Sequence, residues 1–382
     1  MSLRHNGCVD QSPYARALVQ MADAEFDLPS AIQAAALTAP TQAVVLTCSG
    51  EVVLCDLESS DHTTLSTTSE NFVYTDGGFD PTAASSIYTM DDIIVVVNDY
   101  LRHGFVFNPT HGYRLHLQRG SYHADISRYP IAMFHGKDGD PCLIYGTDWN
   151  RVDIANLATR QVLTADKSLI EVGAEQRHLD FYAHHDESNK LLWPRGFDYF
   201  FGHLSISPDQ TRFMSVGWVW GSADSCMVFD IGDFLSNHRV NACTVGVWEH
   251  ESRAMCWVDE DTVAAAVNPS VEYDFDPDED DAGVGPQVPE DVWQIRLYHA
   301  DSSNLSATIA LDQPLNLTRA TLAYQAGQDR FIAFSDTLGL AAIGRDGHVE
   351  LYDPAFSPNY YDQASQQFIR HTGTRITLYT IT

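Results

Sequence analysis

Basic residues are scarce in this sequence of 382 residues. There are 22 lysines and arginines against 52 aspartates and glutamates, which gives a formal net charge of −30. A surface field of this sign repels phosphate backbones and anionic lipid headgroups. We therefore expect neither nucleic acid nor a membrane surface as a partner. The charge favours basic proteins or cations, or it serves solubility alone.

Long apolar runs and paired cysteines are also missing. No stretch approaches the roughly 20 apolar residues of a membrane span, and the first thirty residues lack the apolar stretch of a signal peptide. The seven cysteines are odd in number and widely spaced, without a Cys-x-x-Cys pair. This pattern indicates buried, reduced thiols of a cytoplasmic protein rather than disulfides or a zinc site. Export is the alternative if a leader has been lost from the start.

The motifs of several enzyme classes are absent. The sequence has no Gly-x-Ser-x-Gly elbow, no Gly-rich phosphate loop and no His-Glu-x-x-His helix. Serine hydrolases of the elbow type and nucleotide-binding enzymes are thereby excluded. Among 52 acids, no pair of carboxylates can be singled out for glycoside cleavage. We assign no catalytic residues.

Short strands bounded by turn residues are what the sequence does contain. Segments such as Ala43–Thr47, Ile93–Val97 and Phe331–Ser335 are rich in β-branched and aromatic residues. Helical periodicity is nearly absent, and Tyr14–Phe26 is the best candidate for a short helix. The class is predicted to be all-β, with an N-terminal segment at 1–30 and a single domain at 31–382.

An internal repeat refines this prediction. Val45–Asp56 aligns with Ala342–Asp353, each reading as strand, tight turn, strand and aspartate, and Asp346-Gly347 predicts a type I′ hairpin. Six four-stranded units can be drawn at the roughly 40 to 50 residues of a propeller blade. They cover about 31–65, 85–119, 129–165, 199–247, 252–312 and 320–358. The two chain ends supply a further blade or close the ring by pairing with each other. We predict a β-propeller of four-stranded antiparallel blades, with seven favoured over six.

One hairpin carries a family resemblance. Leu204–Phe213, which reads LSISPDQTRF, resembles the S-P-D-G hairpin of WD40, TolB and YVTN β-propeller repeats, with Gln210 where glycine is usual. Pro208 fixes the first turn position, and Asp209 can bond ahead to the backbone. The resemblance implies the propeller architecture only, because propellers host unrelated functions.

Two tryptophans follow this hairpin. Period-two alternation in Met214–Trp220 places Trp218 and Trp220 on the same face of a strand as Met214 and Val216. We expect these tryptophans to pack between blades, with ligand stacking as the alternative.

Two insertions interrupt the repeat, at about 171–202 and 268–291, and long loops in compact domains are often functional. The first provides the candidate binding residues, which are His184, His185, Asp186, Trp193, Arg195 and Tyr199. Tryptophan, tyrosine and arginine anchor protein interfaces, so a protein partner is the preferred interpretation. Histidines and carboxylates leave a metal or catalytic site open, as well as a plain surface.

The second insertion is rich in acids. Neither Asp274 nor Asp276 begins a register that fits the EF-hand spacing, because Gly and Glu are missing at the required positions. We expect a solvated acidic loop, with a non-standard Ca²⁺ loop as the weaker alternative, and we predict no cofactor and no metal.

The sequence thus favours a non-enzymatic, WD40-like β-propeller scaffold that mediates protein–protein interaction. One alternative is a hydrolase or lactonase-like propeller enzyme with a divalent cation in its central channel. The other is a carbohydrate or small-ligand binder, which solvent-exposed tryptophans on one face would indicate.

Overall fold

The chain forms seven four-stranded antiparallel sheets, arranged as the blades of a ring. This computed structural model describes residues 16–68, 76–183, 194, 196–220, 223–248, 253–269 and 292–382. The predicted all-β class and the seven-bladed β-propeller are confirmed.

Blades 1 to 4 follow one another along the chain. Strand β1, at Leu18–Glu25, comes first in the chain and joins blade 7. Blade 1 contains β2 to β5, at Ile32–Ala39, Gln42–Thr47, Glu51–Asp56 and His62–Thr67. Blade 2 contains β6 to β9, at Ser85–Met90, Ile93–Asn98, His103–Asn108 and Tyr113–Gln118. Blade 3 contains β10 to β13, at Ile131–His135, Pro141–Asp148, Arg151–Asn156 and Gln161–Val162. Blade 4 contains β14 to β17, at Phe200–Ile206, Arg212–Val219, Ala223–Asp230 and Cys243–Trp248.

The last three blades complete the ring. Blade 5 contains β18 to β21, at Met255–Trp257, Thr262–Val267, Gln294–His299 and Leu305–Ala310. Blade 6 contains β22 to β25, at Thr321–Gln325, Arg330–Ser335, Gly339–Gly344 and Val349–Asp353. Blade 7 combines β26 to β28, at Tyr360–Asp362, Gln367–Thr372 and Arg375–Ile381, with the N-terminal strand β1 at Leu18–Glu25.

The apolar core is divided among the junctions between blades. The first strands of neighbouring blades contact one another, as β2 does with β6 and β10 with β14, so these strands surround the central channel. Seven clusters of buried apolar side chains occur, one at each junction between adjacent blades. Each sheet buries both faces only because it has a neighbour on each side, which is the physical reason for closing the ring.

Strand β1 closes the ring. It pairs antiparallel with β28, from Leu18 opposite Ile381 to Glu25 opposite Arg375. The expected pairing of the two chain ends is therefore confirmed, whereas the predicted helix at Tyr14–Phe26 is wrong for its described part. The spacing of Leu18 and Met21 is compatible with either structure, and pairing with the distant β28 decides in favour of a strand.

The turns explain two details of the repeat. Gly347 has a φ of 87° while Asp346 does not adopt positive φ, so this hairpin is not the predicted type I′ turn. The backbone N–H of Gly347 donates to the carbonyl of Gly344, as in a type I turn followed by a glycine bulge. In the Leu204–Phe213 hairpin, Gln210 has a φ of 61°, which is the left-handed conformation that glycine adopts more readily.

Helices are few. In the described part of the chain, helix α1 spans Ala174–Tyr182 in the first insertion, α2 spans Ile231–Ser236, and a 3₁₀ turn covers Ala326–Gln328. Within the described ranges, no helix is long and apolar enough to cross a membrane. The second insertion, except for its first two residues, lies outside the described residues.

Candidate ligand-binding surface

Six aromatic rings meet at one end of blades 3 and 4. We call this end the upper face, which carries the turns between the second and third strands of each blade and the connections from one blade to the next. We call the six rings the aromatic surface, and they belong to Tyr122, His123, Trp149, Phe200, Trp218 and Trp220. They come from four separate segments of the chain, so the fold and not local sequence brings them together.

A buried arginine holds the loop that carries Tyr122 and His123. The Arg119 guanidinium is 4% exposed and donates to the carbonyls of Ala124 and Ser127, both at 2.8 Å, and to that of Leu101 at 2.9 Å. Burial lowers the pKa of Arg119 to about 10, so the group remains a cation at neutral pH. Its charge-assisted hydrogen bonds therefore fix a loop that has no regular secondary structure.

A stacked pair forms the base of the surface. The rings of Phe200 and Trp218 lie 3.6 Å apart between centroids and 6° from parallel, on paired residues of β14 and β15. The indole N–H of Trp218 donates to the Ser127 hydroxyl at 2.8 Å. This bond connects blade 4 to the loop that precedes blade 3. It therefore holds the rings of Phe200 and Trp218 in a fixed position relative to the loop that carries Tyr122.

Two rings at the surface face solvent. Tyr122 is 48% exposed and Trp220 is 50% exposed, whereas Phe200 is completely buried beneath them. The centroids of Tyr122 and Trp220 lie 6.1 Å apart, and Trp220 meets the Phe200 ring edge-on at 5.2 Å. Rings this close fill the space between them. A ligand would therefore lie against the exposed halves of these two rings and would not be enclosed.

Acidic side chains flank the rings. Asp125 lies in the loop of Tyr122, Asp148 precedes Trp149, and Asp198 lies two residues before Phe200; all three are exposed. The Asp148 carboxylate accepts a hydrogen bond from the backbone N–H of Trp149 at 2.8 Å, which positions this turn. The arrangement therefore combines apolar ring faces with a negative border.

Most of the sequence-predicted site residues cannot be placed. His184, His185, Asp186, Trp193 and Arg195 lie outside the described residues. The described part of the same insertion forms α1, on which Leu179 and Phe181 are each 62% exposed.

Tyr199 has a structural position. Its side chain is fully buried in blade 4, and its hydroxyl lies 2.9 Å from the carbonyl of Ser215 and 3.0 Å from that of Ser225. Burial raises the pKa of this phenol well above its ordinary value. The assignment of Tyr199 to a contact surface stays a prediction, and in the structure its side chain lies in the interior of blade 4. Its bonds instead fix the start of β14, from which the next residue, Phe200, enters the aromatic surface.

A cavity of about 400 Å³ lies beside α1. Phe181 and Tyr182 line it from the helix, Phe197 and Asp198 from the segment before β14, and Met227 from β16. Because Phe197 and Asp198 lead directly to Phe200, this cavity and the aromatic surface are close in the chain. Both belong to the junction of blades 3 and 4.

The central channel carries a second polar group of residues. Arg128 donates to the Ser86 hydroxyl at 2.8 Å and lies 3.5 Å from the Asp99 carboxylate. Burial, and then the positive charge of Arg128, lowers the pKa of His203 to about 3, so this imidazole is neutral at pH 7. Within the described ranges, no three histidine, cysteine, aspartate or glutamate residues come together as metal ligands would.

The sequence contained part of the signal for the aromatic surface. The alternation in Met214–Trp220 identifies Trp218 and Trp220, but it favours packing between blades for both. The structure places both on the aromatic surface, and neither belongs to one of the seven junction clusters. Tyr122 lies in the connection between blades 2 and 3, and Trp149 lies in the turn between β11 and β12. The repeat pattern assigns no role to such segments beyond joining strands.

No protein-family model and no curated protein matches this chain. Among solved structures, it is similar to the computationally designed Ika8 protein in its first crystal packing, in P63. The identity is 10% and the TM-score is 0.44, over 94% of this chain and 98% of the designed one. A likeness at this level says nothing about what the chain binds.

Proposed function

We propose that this protein is a non-enzymatic β-propeller that binds a partner protein through the aromatic surface at the junction of blades 3 and 4. The single observation that carries the proposal is the pair of half-exposed rings, Tyr122 and Trp220, above a rigid aromatic base. Tyrosine and tryptophan supply large contact areas with little loss of side-chain freedom, and they dominate binding energy in protein interfaces.

The support for rigidity comes from the residues below the surface. Arg119 fixes the loop of Tyr122, and the bond from Trp218 to Ser127 connects that loop to blade 4. A preformed surface loses little entropy on binding, which favours affinity. The alternative of a hydrolase-like site in the channel has weaker support, because the Arg128 and Ser86 side chains already engage the Asp99 carboxylate.

Two broader assignments belong to the same proposal. The SPDQ hairpin at Ser207–Gln210 supports grouping the blades with WD40, TolB or YVTN repeats, as the sequence suggested. The six described cysteines form no disulfide, which is compatible with the cytoplasm as the compartment.

The first test is affinity capture followed by quantitative mass spectrometry. We expect a protein that the wild type retains to be lost from the double variant Tyr122→Ala/Trp220→Ala. Tyr352→Ala is the matched control, because Tyr352 is an equally exposed ring on blade 6, at 44% exposure. Retention of every captured protein by the double variant would contradict the proposal.

A carbohydrate ligand is the second candidate. Solvent-exposed tryptophans on one face are typical of such a binder, and Trp220 is 50% exposed. A glycan array distinguishes the two: a sugar bound by the wild type and not by the double variant, without any captured protein, would favour the carbohydrate.

A further inference from the structure

We propose that the aromatic surface binds arginine side chains of a basic segment in its partner, with guanidinium groups lying flat on Tyr122 and Trp220. This inference rests on the proposed function and specifies the chemistry of the partner. Three observations carry it: the shape of the surface, the charge around it, and the hydrogen bonds and ion pairs that already occupy the nearby arginines.

The shape favours a flat group. The six rings form one connected cluster, with Tyr122 4.4 Å from His123 and 5.8 Å from Trp149 between centroids. There is no open box between them of the kind that surrounds a methylated ammonium group. What remains accessible is about half of each of two rings, Tyr122 and Trp220. A planar guanidinium can stack on such a face, whereas a lysine ammonium is a compact and more strongly hydrated charge.

The charge around the rings favours a cation. Asp125, Asp148 and Asp198 border the surface and are exposed, and the whole chain carries a formal charge of −30. The ring faces are themselves negative, because of the aromatic quadrupole. A cationic segment is therefore attracted both by the rings and by the aspartates around them. An anionic ligand is repelled by the same two groups.

The nearby described arginines already have partners within the chain. Arg119 is buried and donates to the carbonyls of Ala124 and Ser127 within the loop that it holds, and to that of Leu101 in the turn between β7 and β8. Arg128 binds Ser86 and lies beside Asp99. Neither guanidinium lies over the ring of Tyr122 or Trp220, and the cation–π pairs of described residues involve other rings. The outer faces are thus available to a cation from another molecule.

The experiment uses synthetic peptides of equal length and charge in which the basic residues are all arginine or all lysine. Binding to the full chain is measured by calorimetry at about 50 and 200 mM salt. We expect the arginine peptide to bind at least several-fold more tightly than the lysine peptide. We also expect Tyr122→Ala/Trp220→Ala to weaken it at least tenfold and Tyr352→Ala to leave it unchanged.

A second pair of variants tests the border without altering the rings. Asp125→Asn and Asp148→Asn keep the size of the side chain, and each should weaken the arginine peptide by a few-fold at low salt and less at high salt. Equal affinities for the two peptides, or arginine binding that survives the loss of both rings, would overturn the inference. If a captured protein depends on Trp220 but the arginine peptide does not bind, the inference fails and the proposed function stands.

Discussion

His203 lies in β14, on the wall of the channel, and no described residue hydrogen-bonds to its side chain. Its buried Nδ1 atom has no hydrogen-bond partner. Burial, together with the positive charge of Arg128, lowers its pKa to about 3, against about 6.5 in an unfolded chain. The unfolded state therefore binds more protons than the native state below about pH 6.5. The stabilising contribution of neutral His203 is complete above that pH and is lost progressively as the pH falls toward 3.

We predict that His203→Gln makes the protein less sensitive to acid. Between pH 7.5 and pH 5, the fall in the free energy of unfolding should be smaller in the variant by up to about 2 kcal/mol. Urea unfolding at the two pH values measures this difference.

His348→Gln is the control for this measurement, because Asp312 raises the pKa of the exposed His348. Its removal should change the pH dependence in the opposite sense. If wild type and His203→Gln lose stability in parallel, the imidazole is not held neutral as described.

At the scale of elements, strand β1 provides the test of ring closure. Ala24 is 4% exposed and lies opposite Ile376, whereas Met21 on the same strand is 56% exposed. We predict that Ala24→Asp lowers the free energy of unfolding by about 3 kcal/mol or more, because it buries an unpaired charge at the junction of blades 7 and 1. Met21→Asp, the matched control, should change it by less than about 0.5 kcal/mol. If both substitutions lower the free energy of unfolding in urea equally, β1 does not pack against the junction of blades 7 and 1.

The same strand shows what sequence alone can and cannot predict. Interior strands such as Ile93–Asn98 were visible because they combine β-branched residues with turn signals on both sides. The strand at Leu18–Glu25 cannot be predicted locally, because its partner strand lies at least 350 residues away in the sequence. The aromatic surface was hidden for the same reason. Trp218 lies in β15 and Trp220 comes two residues later, just after this strand ends, but Tyr122 and Trp149 are distant in sequence and meet them only because the propeller closes.

At the scale of the whole molecule, the ring explains how 382 residues fold without one large core. Chains of this length usually divide into domains. Here the apolar side chains are distributed over seven junctions, so the structure grows by repetition and each junction remains small. Closure by β1 makes the last junction equivalent to the others. The upper face consists of turns and of connections between blades. At blades 3 and 4 these segments carry most of the aromatic surface.

The most direct test of the account is hydroxyl-radical footprinting of the protein alone and in complex with its captured partner. Oxidation of Tyr122 and Trp220 should fall at least several-fold in the complex, since both rings are half exposed in the free protein. Oxidation of Tyr352, on blade 6, should not change. Protection of Tyr352 with continued oxidation of Tyr122 and Trp220 would contradict the claim that the partner docks on the aromatic surface.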